Sequence, residues 1–102
     1  MGVLHLVNRS PGQSTALSCC LQRVRPGDAI LLLEGGVYAA FKGSSVAPSL
    51  LESLADVTVH ALAPDLALRG IAQQDILTGI VLVDYEGFVG LSISHSPIIS
   101  WS

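Results

Sequence analysis

The stretch that decides the fold is Val3-Leu4-His5-Leu6-Val7-Asn8-Arg9-Ser10-Pro11, an apolar run that ends abruptly in a polar turn. The segment after it has the spacing of a helix with one buried face, because apolar residues recur at i, i+3, i+4 and i+7, namely Leu17, Cys20, Leu21 and Val24. The order of strand, polar turn and helix then recurs along the chain. This alternation predicts a parallel α/β sheet, and in such sheets the functional groups lie in the loops at the carboxyl ends of the strands.

The loop from Asn8 to Gly12 is therefore expected at the functional edge of the sheet. Apolar runs predict about five strands, at Val3–Val7, Ala29–Leu33, Val57–Leu62, Ile80–Val83 and, as an edge strand, Ile98–Trp101. Helices are predicted at about Gln13–Val24, Pro48–Leu54, Pro64–Gly70 and Tyr85–Ser94, with a single helical turn at Val37–Phe41. The sequence thus predicts one α/β domain over residues 1–102, with a mostly parallel sheet flanked by short helices and built from right-handed crossovers.

The composition predicts a surface that is partly an interface. Of the 102 residues, 50% are hydrophobic and only 13% are charged, against about 25% charged in a typical soluble domain. So few charged residues cover little of the outside of a small particle, and the short helices are expected to leave one face or edge of the sheet partly covered.

Charge and hydropathy exclude two classes of partner. The net charge of −3 comes from scattered residues with no basic stripe, which argues against direct binding of nucleic acid. No apolar stretch approaches the roughly 18 residues that cross a bilayer, and the N-terminus lacks the basic region of a signal peptide. A cytoplasmic protein that makes no membrane contact is expected.

Cys20 is the residue most open to a chemical role, because a thiol can carry sulfur as a persulfide and pass it to another thiolate. The opposite interpretation is a buried cysteine that acts as a small hydrophobic residue, since Cys20 lies on the apolar face and far from the positive helix N-terminus. Its neighbour Cys19 points elsewhere. Adjacent cysteines are poorly placed for a disulfide, so both are predicted to be free thiols.

The remaining polar candidates have structural explanations. His5 lies in an apolar strand without metal-ligand spacing around it, so a satisfied core histidine is predicted and no metal or cofactor is expected. Gly35-Gly36 matches no phosphate-loop pattern and predicts a turn. Ser10 and Ser14 lack the surroundings of a nucleophile, and capping of the first helix is the simpler role for a serine or threonine there. Asp84 is expected to cap the last helix.

Two further features concern the surface. Asp65 and Arg69 have the i, i+4 spacing of an ion pair on a helix. The last predicted helix carries apolar bulk, and Trp101 stands next to the C-terminal residue. A terminal tryptophan has to be covered, and the composition favours cover by a neighbouring subunit over cover by its own core.

Four segments together with the terminal tryptophan resemble the TusB/DsrH family in order and spacing over nearly the whole chain. They are Leu4-His5-x-x-Asn8-Arg9-Ser10-Pro11, Leu31-Leu32-Leu33-Glu34-Gly35-Gly36-Val37-Tyr38-Ala39-Ala40, Leu62-x-x-Asp65-Leu66-x-x-Arg69-Gly70 and Asp84-Tyr85-x-x-Phe88-Val89. The resemblance implies a DsrE/DsrF/DsrH-like, Rossmann-like fold. It also implies a subunit of a sulfur-relay complex, a dimer of heterotrimers with sister subunits of the TusC/DsrF and TusD/DsrE types.

In this family, persulfide sulfur passes through the complex to a small acceptor of the TusE/DsrC type. In the Tus branch it ends in 2-thiouridine at the tRNA wobble position, whereas the Dsr branch belongs to sulfur oxidation. The principal sulfur-accepting cysteine belongs to the TusD/DsrE-type sister, so the resemblance implies an accessory subunit that is not catalytic alone. Cys20 falls where some members, notably DsrH, carry a cysteine, which implies a secondary thiol at that position.

Overall fold

A parallel sheet of five strands organises residues 2–102, the part of the chain that the computed structural model describes. The strand order is β4-β3-β2-β1-β5 and every pairing is parallel. The strands are β1 (Leu4–Val7), β2 (Ala29–Leu32), β3 (Thr58–Leu62), β4 (Val81–Val83) and β5 (Ile98–Trp101). The predicted α/β class and all five predicted strands are confirmed, with ends that differ by one residue at most.

Short helices connect the strands. They are α1 (Ala16–Leu21), α2 (Ala47–Ser53), α3 (Ala63–Leu68) and α4 (Tyr85–Ser94), with 3-10 helices at Glu34–Ala40 and Gln73–Asp75. The predicted extent of the first helix, Gln13–Val24, is wrong at both ends. Before α1, the carbonyl of Ser10 accepts the N–H groups of Gln13 and Ser14 and closes a turn. After α1, the N–H of Arg23 donates to the carbonyl of Cys20, three residues earlier, and this tighter turn ends the regular helix.

The two faces of the sheet are covered unequally. On one face α1, α2 and α3 pack with the strands into the main core, which includes Leu17, Cys20, Leu50 and Leu66. On the other face only α4 packs against the sheet, over a small cluster whose buried members are Leu4, Ala29 and Leu31. The chain reaches this face because it crosses the whole sheet between β4 and β5. The expectation of a partly covered sheet is confirmed.

Two residues, Gly36 and Asp84, help to fix where neighbouring elements begin. Gly36 lies so close to the end of β1 that a Cβ there would stand 2.0 Å from the carbonyl oxygen of Val7, so only glycine fits. The turn predicted at Gly35-Gly36 is instead the first part of the 3-10 helix Glu34–Ala40. Asp84 caps α4, because its Oδ1 accepts the backbone N–H of Gly87 at 2.8 Å.

Candidate functional site

The carboxyl edge of the sheet is held together by side chains that bind backbone groups. Glu34 adopts a left-handed conformation with φ of 50°, which a glutamate adopts only under constraint. Its N–H donates to Oδ2 of Asp65 at 2.6 Å, across the end of the sheet. The predicted surface pair between Asp65 and Arg69 is therefore wrong, because the Asp65 carboxylate orders the β2 turn instead.

The polar loop after β1 also lies at this edge, as predicted. Ser10 Oγ accepts the N–H of Gly12 at 3.2 Å, and Ser14 Oγ accepts the N–H of Ala16 at 3.0 Å, where α1 begins. The N-cap of α1 is Thr15, which makes no side-chain capping bond, so the expected side-chain cap is wrong, and Ser14 binds the first helical amide from one position further out. These contacts order the loop, and within residues 2–102 they do not join a nucleophile to a base.

Cys20 lies on the buried face of α1, and none of its surface is exposed. Burial, with a smaller contribution from the charge of Asp28, raises the pKa of the Cys20 thiol to about 12. A thiol that stays protonated at neutral pH is a poor nucleophile. Sulfur transfer by Cys20 remains a prediction, and it would require α1 to move away from the sheet.

Cys19 has the opposite environment. It is exposed, and its Sγ lies 4.0 Å from Thr15 Oγ1 one turn earlier. Both cysteines are free, as predicted.

His5 is a satisfied core histidine, as predicted, and it stands in a chain of three side chains. Its Nε2 lies 2.9 Å from Oδ2 of Asp28, and its Nδ1 accepts the indole N–H of Trp101 at 3.0 Å. His5 and Asp28 are almost fully buried, with 3% and 7% of their surfaces exposed. Trp101 is half-buried and packs against the chain's own core. The expected cover of Trp101 by a neighbouring subunit is wrong for its indole nitrogen, which is bonded within the chain.

Asp28 was not singled out from the sequence. It follows Pro26-Gly27, which indicates only a turn, yet its carboxylate also accepts the N–H groups of Val3 at 2.9 Å and Arg25 at 3.0 Å. Burial acts to raise the pKa of Asp28, but the hydrogen bonds from His5 and the two backbone amides outweigh it and lower that pKa below its usual value. An acidic residue directly before a fully apolar central strand was the signal that could have found it.

The outer surface of α4 is not covered by other parts of the structure described. The helix has no buried residue. Tyr85, Val89 and Ile93 lie four residues apart along it, with 60%, 56% and 80% of their surfaces exposed. Two strand residues on the same face of the sheet are also exposed, Val81 at 50% on the edge strand β4 and Ile98 at 46% on the opposite edge strand β5. We call these five residues the α4 surface. The helix carries no lysine or arginine, so the stripe is apolar along its length.

Under this face, β3 contributes His60. Its Nε2 lies 3.1 Å from Thr58 Oγ1, while its buried Nδ1 has no hydrogen-bond partner among residues 2–102. Burial and, secondarily, the nearby His95 lower the pKa of His60. The neutral form of His60 is thus favoured beneath the partly covered face.

Other site classes find little support in the part of the chain described. No cluster of three or more His, Cys, Asp or Glu side chains there is arranged to hold a metal ion. No helix within residues 2–102 combines the length and apolar character needed to cross a membrane. An open cleft of about 430 Å³ between α1 and α2 is lined by serines and by Glu52 and Asp56.

The chain is similar to known proteins in both sequence and fold. Residues 9–98 match the family described as "DsrH like protein". Protein TusB of Shigella flexneri is 39% identical over 99 residues, which are 97% of this chain and 100% of that protein. Protein TusB of Escherichia coli K12 is 38% identical and that of Pectobacterium atrosepticum 36% identical over the same shares.

Two solved structures share the fold at low sequence identity. The ychN protein of E. coli superposes with a TM-score of 0.81, at 16% identity over 98% of each chain. Protein MTH1491 of Methanobacterium thermoautotrophicum, of unknown function by its own description, superposes with a TM-score of 0.76, at 16% identity over 96% of each chain. With this family match and near full-length relatives, the chain belongs to the TusB/DsrH family of sulfur-relay subunits.

Proposed function

We propose that the protein is an accessory subunit of a cytoplasmic sulfurtransferase complex and that its α4 surface binds the sister subunits. The partners are α/β subunits of the TusC/DsrF and TusD/DsrE types, and the assembled complex passes persulfide sulfur to an acceptor of the TusE/DsrC type. The observation that carries this proposal is the stripe of Tyr85, Val89 and Ile93, which is largely exposed in the isolated chain.

Single exposed apolar residues are ordinary, but several on one face of the molecule, three of them along one helix, are typical of an interface. A charged outer helix face would keep a single subunit in solution, whereas the only charged residue of α4 is Glu86 in its first turn. A partner that covers this stripe would complete the second layer of the sheet.

The environment of Cys20 supports an accessory role for this chain. With its buried thiol and raised pKa, this chain supplies no ready sulfur nucleophile among its described residues except the exposed Cys19. The principal persulfide is therefore assigned to a sister subunit, and this chain contributes surface and position, without direct contact with tRNA. The near full-length similarity to proteins named TusB favours the branch that ends in 2-thiouridine at the tRNA wobble position.

The test is co-expression with the two sister subunits followed by size-exclusion chromatography. The wild-type chain is expected to elute with both sisters as one complex, and Ile93→Glu is expected to elute apart from them. Leu68→Glu is the matched control, because Leu68 is 79% exposed on α3 and Ile93 is 80% exposed on α4. Equal loss of binding in both variants, or in neither, would contradict the role of the α4 surface, and a wild-type chain indifferent to both sisters would end the proposal.

The alternative is a Dsr-type subunit in which Cys20 carries sulfur as a secondary thiol. In that step an acceptor thiolate would attack the outer sulfur of the Cys20 persulfide, and the Cys20 thiolate would leave. Sulfur transfer by the assembled complex that carries Cys20→Ser separates the two functions. Unchanged transfer removes the alternative, whereas loss of transfer with an intact complex would establish it.

A further inference from the structure

His5 on β1, Trp101 on β5 and Asp28, just before β2, are joined by two hydrogen bonds. Both bonds run in one direction, from Trp101 through His5 to Asp28. A tryptophan indole has a donor and no acceptor, so Trp101 can only donate to Nδ1 of His5. Nδ1 is then unprotonated, and the single proton of the neutral imidazole sits on Nε2, which donates to Oδ2 of Asp28. The geometry thus assigns both the tautomer and the charge of His5, a neutral ring between a donor and a carboxylate.

The two ends of this hydrogen-bonded series, Asp28 and Trp101, differ in how firmly they are held. Asp28 is buried and is fixed by two backbone amides besides His5. Trp101 lies on β5, which pairs only with β1 and forms one edge of the sheet. Every residue of β5 before Trp101 is exposed. The weak end is therefore the C-terminal strand, whose last side chain depends on an acceptor 96 residues away.

A second proton on His5 would change only this weak end. The imidazolium still donates from Nε2 to Asp28, and the carboxylate stabilises its charge. At Nδ1, however, a new N–H would face the Trp101 N–H across 3.0 Å, so the hydrogen bond is lost and two donors oppose each other.

We infer that Trp101, His5 and Asp28 form a protonation-controlled latch, in which a proton added to His5 Nδ1 loosens β5 from the edge of the sheet.

The other ionisable groups around the latch are few. Cys20 of α1 lies close enough to Asp28 to feel its charge, and it remains a neutral thiol. Arg25 and His95 line an open cavity beside Asp28, Arg25 from the loop before β2 and His95 from the end of α4. Arg25 is exposed and reaches Asp28 through its backbone amide only. His95 therefore needs its own control variant.

Trp101 is the only tryptophan of the chain, so its emission and its indole N–H resonance report the latch without interference. We expect both signals to change together as the pH is lowered, at the point where the ring resonances of His5 show a proton added to Nδ1. The opening equilibrium of the β5 amides, measured by hydrogen exchange, should rise about fivefold, the factor that corresponds to one lost hydrogen bond. The β2 amides should show no such change.

Three variants assign the effect. His5→Gln keeps an acceptor for Trp101 and removes the titration, so its β5 exchange and Trp101 emission should no longer depend on pH in this way. His60→Gln and His95→Gln, which alter the two other histidines, should leave the wild-type response in place. A response that survives in His5→Gln or disappears in His95→Gln would overturn the latch.

Direct observation of the ring covers the case in which His5→Gln fails to fold. The nitrogen resonances of His5 in the wild-type protein at about pH 8 should show a proton on Nε2 and none on Nδ1. The opposite tautomer, or a Trp101 N–H signal that stays constant while His5 titrates, would contradict the inference.

Discussion

At the scale of single residues, the two adjacent cysteines are expected to differ sharply in reactivity. Cys19 is exposed and Cys20 is sealed in the core with its pKa raised to about 12. Iodoacetamide at about pH 8 should therefore modify the native protein at Cys19 alone, and at Cys20 only after unfolding by denaturant. Mass spectrometry of the labelled peptides measures the outcome.

The variants Cys19→Ser and Cys20→Ala serve as the matched pair for this measurement. The first should resist labelling until it unfolds, and the second should be labelled once in the native state. Rapid native labelling of Cys20 would show that α1 opens readily, which would favour the sulfur-carrying alternative.

His60 gives a prediction about pH. Its pKa in the folded protein lies below the ordinary value of 6.5, because burial disfavours the charged ring. Well above pH 6.5 both the folded and the unfolded states are neutral at this site. As the pH falls below that value, the unfolded chain gains a proton that the folded protein does not, so the free energy of unfolding decreases until the lowered pKa is passed.

Denaturant titrations between about pH 7 and about pH 5 should thus show a smaller loss of stability in His60→Gln than in the wild-type protein. The same loss in both proteins would mean that His60 binds its proton equally well in the folded state.

The residue scale also shows where sequence reasoning ends. That His5 would be buried and satisfied followed from the apolar strand around it, since a polar ring in a core needs partners. The identity of those partners did not, because Asp28 and Trp101 reach His5 through strand register and the last crossover. The separation of two residues along the sequence does not indicate that their side chains will meet in this way. Asp65 was similarly assigned to Arg69, its neighbour on the helix, rather than to Glu34 on another element.

At the scale of elements, the two glycines of α4 predict opposite effects of the same substitution. A Cβ at Gly90 would meet nothing within 4 Å, so Gly90→Ala should raise the free energy of unfolding by about 0.5–1 kcal/mol, the conformational cost of glycine in a helix. A Cβ at Gly87 would lie 2.9 Å from Cβ of Val83, so Gly87→Ala should lower it by about 1–3 kcal/mol through overpacking. Thermal and denaturant unfolding measure both values.

The two glycines differ in what an added Cβ would contact. If both variants were stabilised, the contact between α4 and β4 would be looser than the structure shows. If both were destabilised, the backbone of α4 would need glycine at both positions for a reason other than the clash with Val83.

The elements that sequence predicted best are those with local signals. Asp84 marks the start of α4, which extends over the predicted Tyr85–Ser94. The periodicity of α1 identified its buried face, with Leu17 and Cys20 inward, but overstated its length. Periodicity records which side chains face the core, and residues in turns beside a helix keep facing it after the i to i+4 hydrogen bonds have stopped.

At the scale of the whole molecule, composition indicated a subunit with an uncovered face but did not locate that face. The position depends on the long crossover from β4 to β5, which places one helix alone on the second face of the sheet. Alternation of strands and helices predicts crossovers without stating how many fall on each side. The low charge and the lone α4 thus have the same consequence, because both leave apolar surface exposed on the second face.

This asymmetry predicts how the molecule opens. All four residues of β2 are buried, so its amides should exchange only when the whole domain unfolds. The attachment of α4 rests on two half-buried side chains, Phe88 and Leu91, which together contribute on the order of 3 kcal/mol. Native-state hydrogen exchange should therefore show the α4 amides exchanging at least about tenfold faster than those of β2.

Binding of the sister subunits should reduce this difference in exchange, on one face of the sheet only. If they cover the α4 surface, α4 exchange in the complex should slow towards that of β2, because opening α4 would then require breaking the interface as well. Exchange in α1 should stay unchanged, since Leu17 and Cys20 are buried against the sheet within the chain itself. A complex that forms while α4 exchanges as fast as before would place the interface on another surface, and it would require a different explanation for the exposure of Tyr85, Val89 and Ile93.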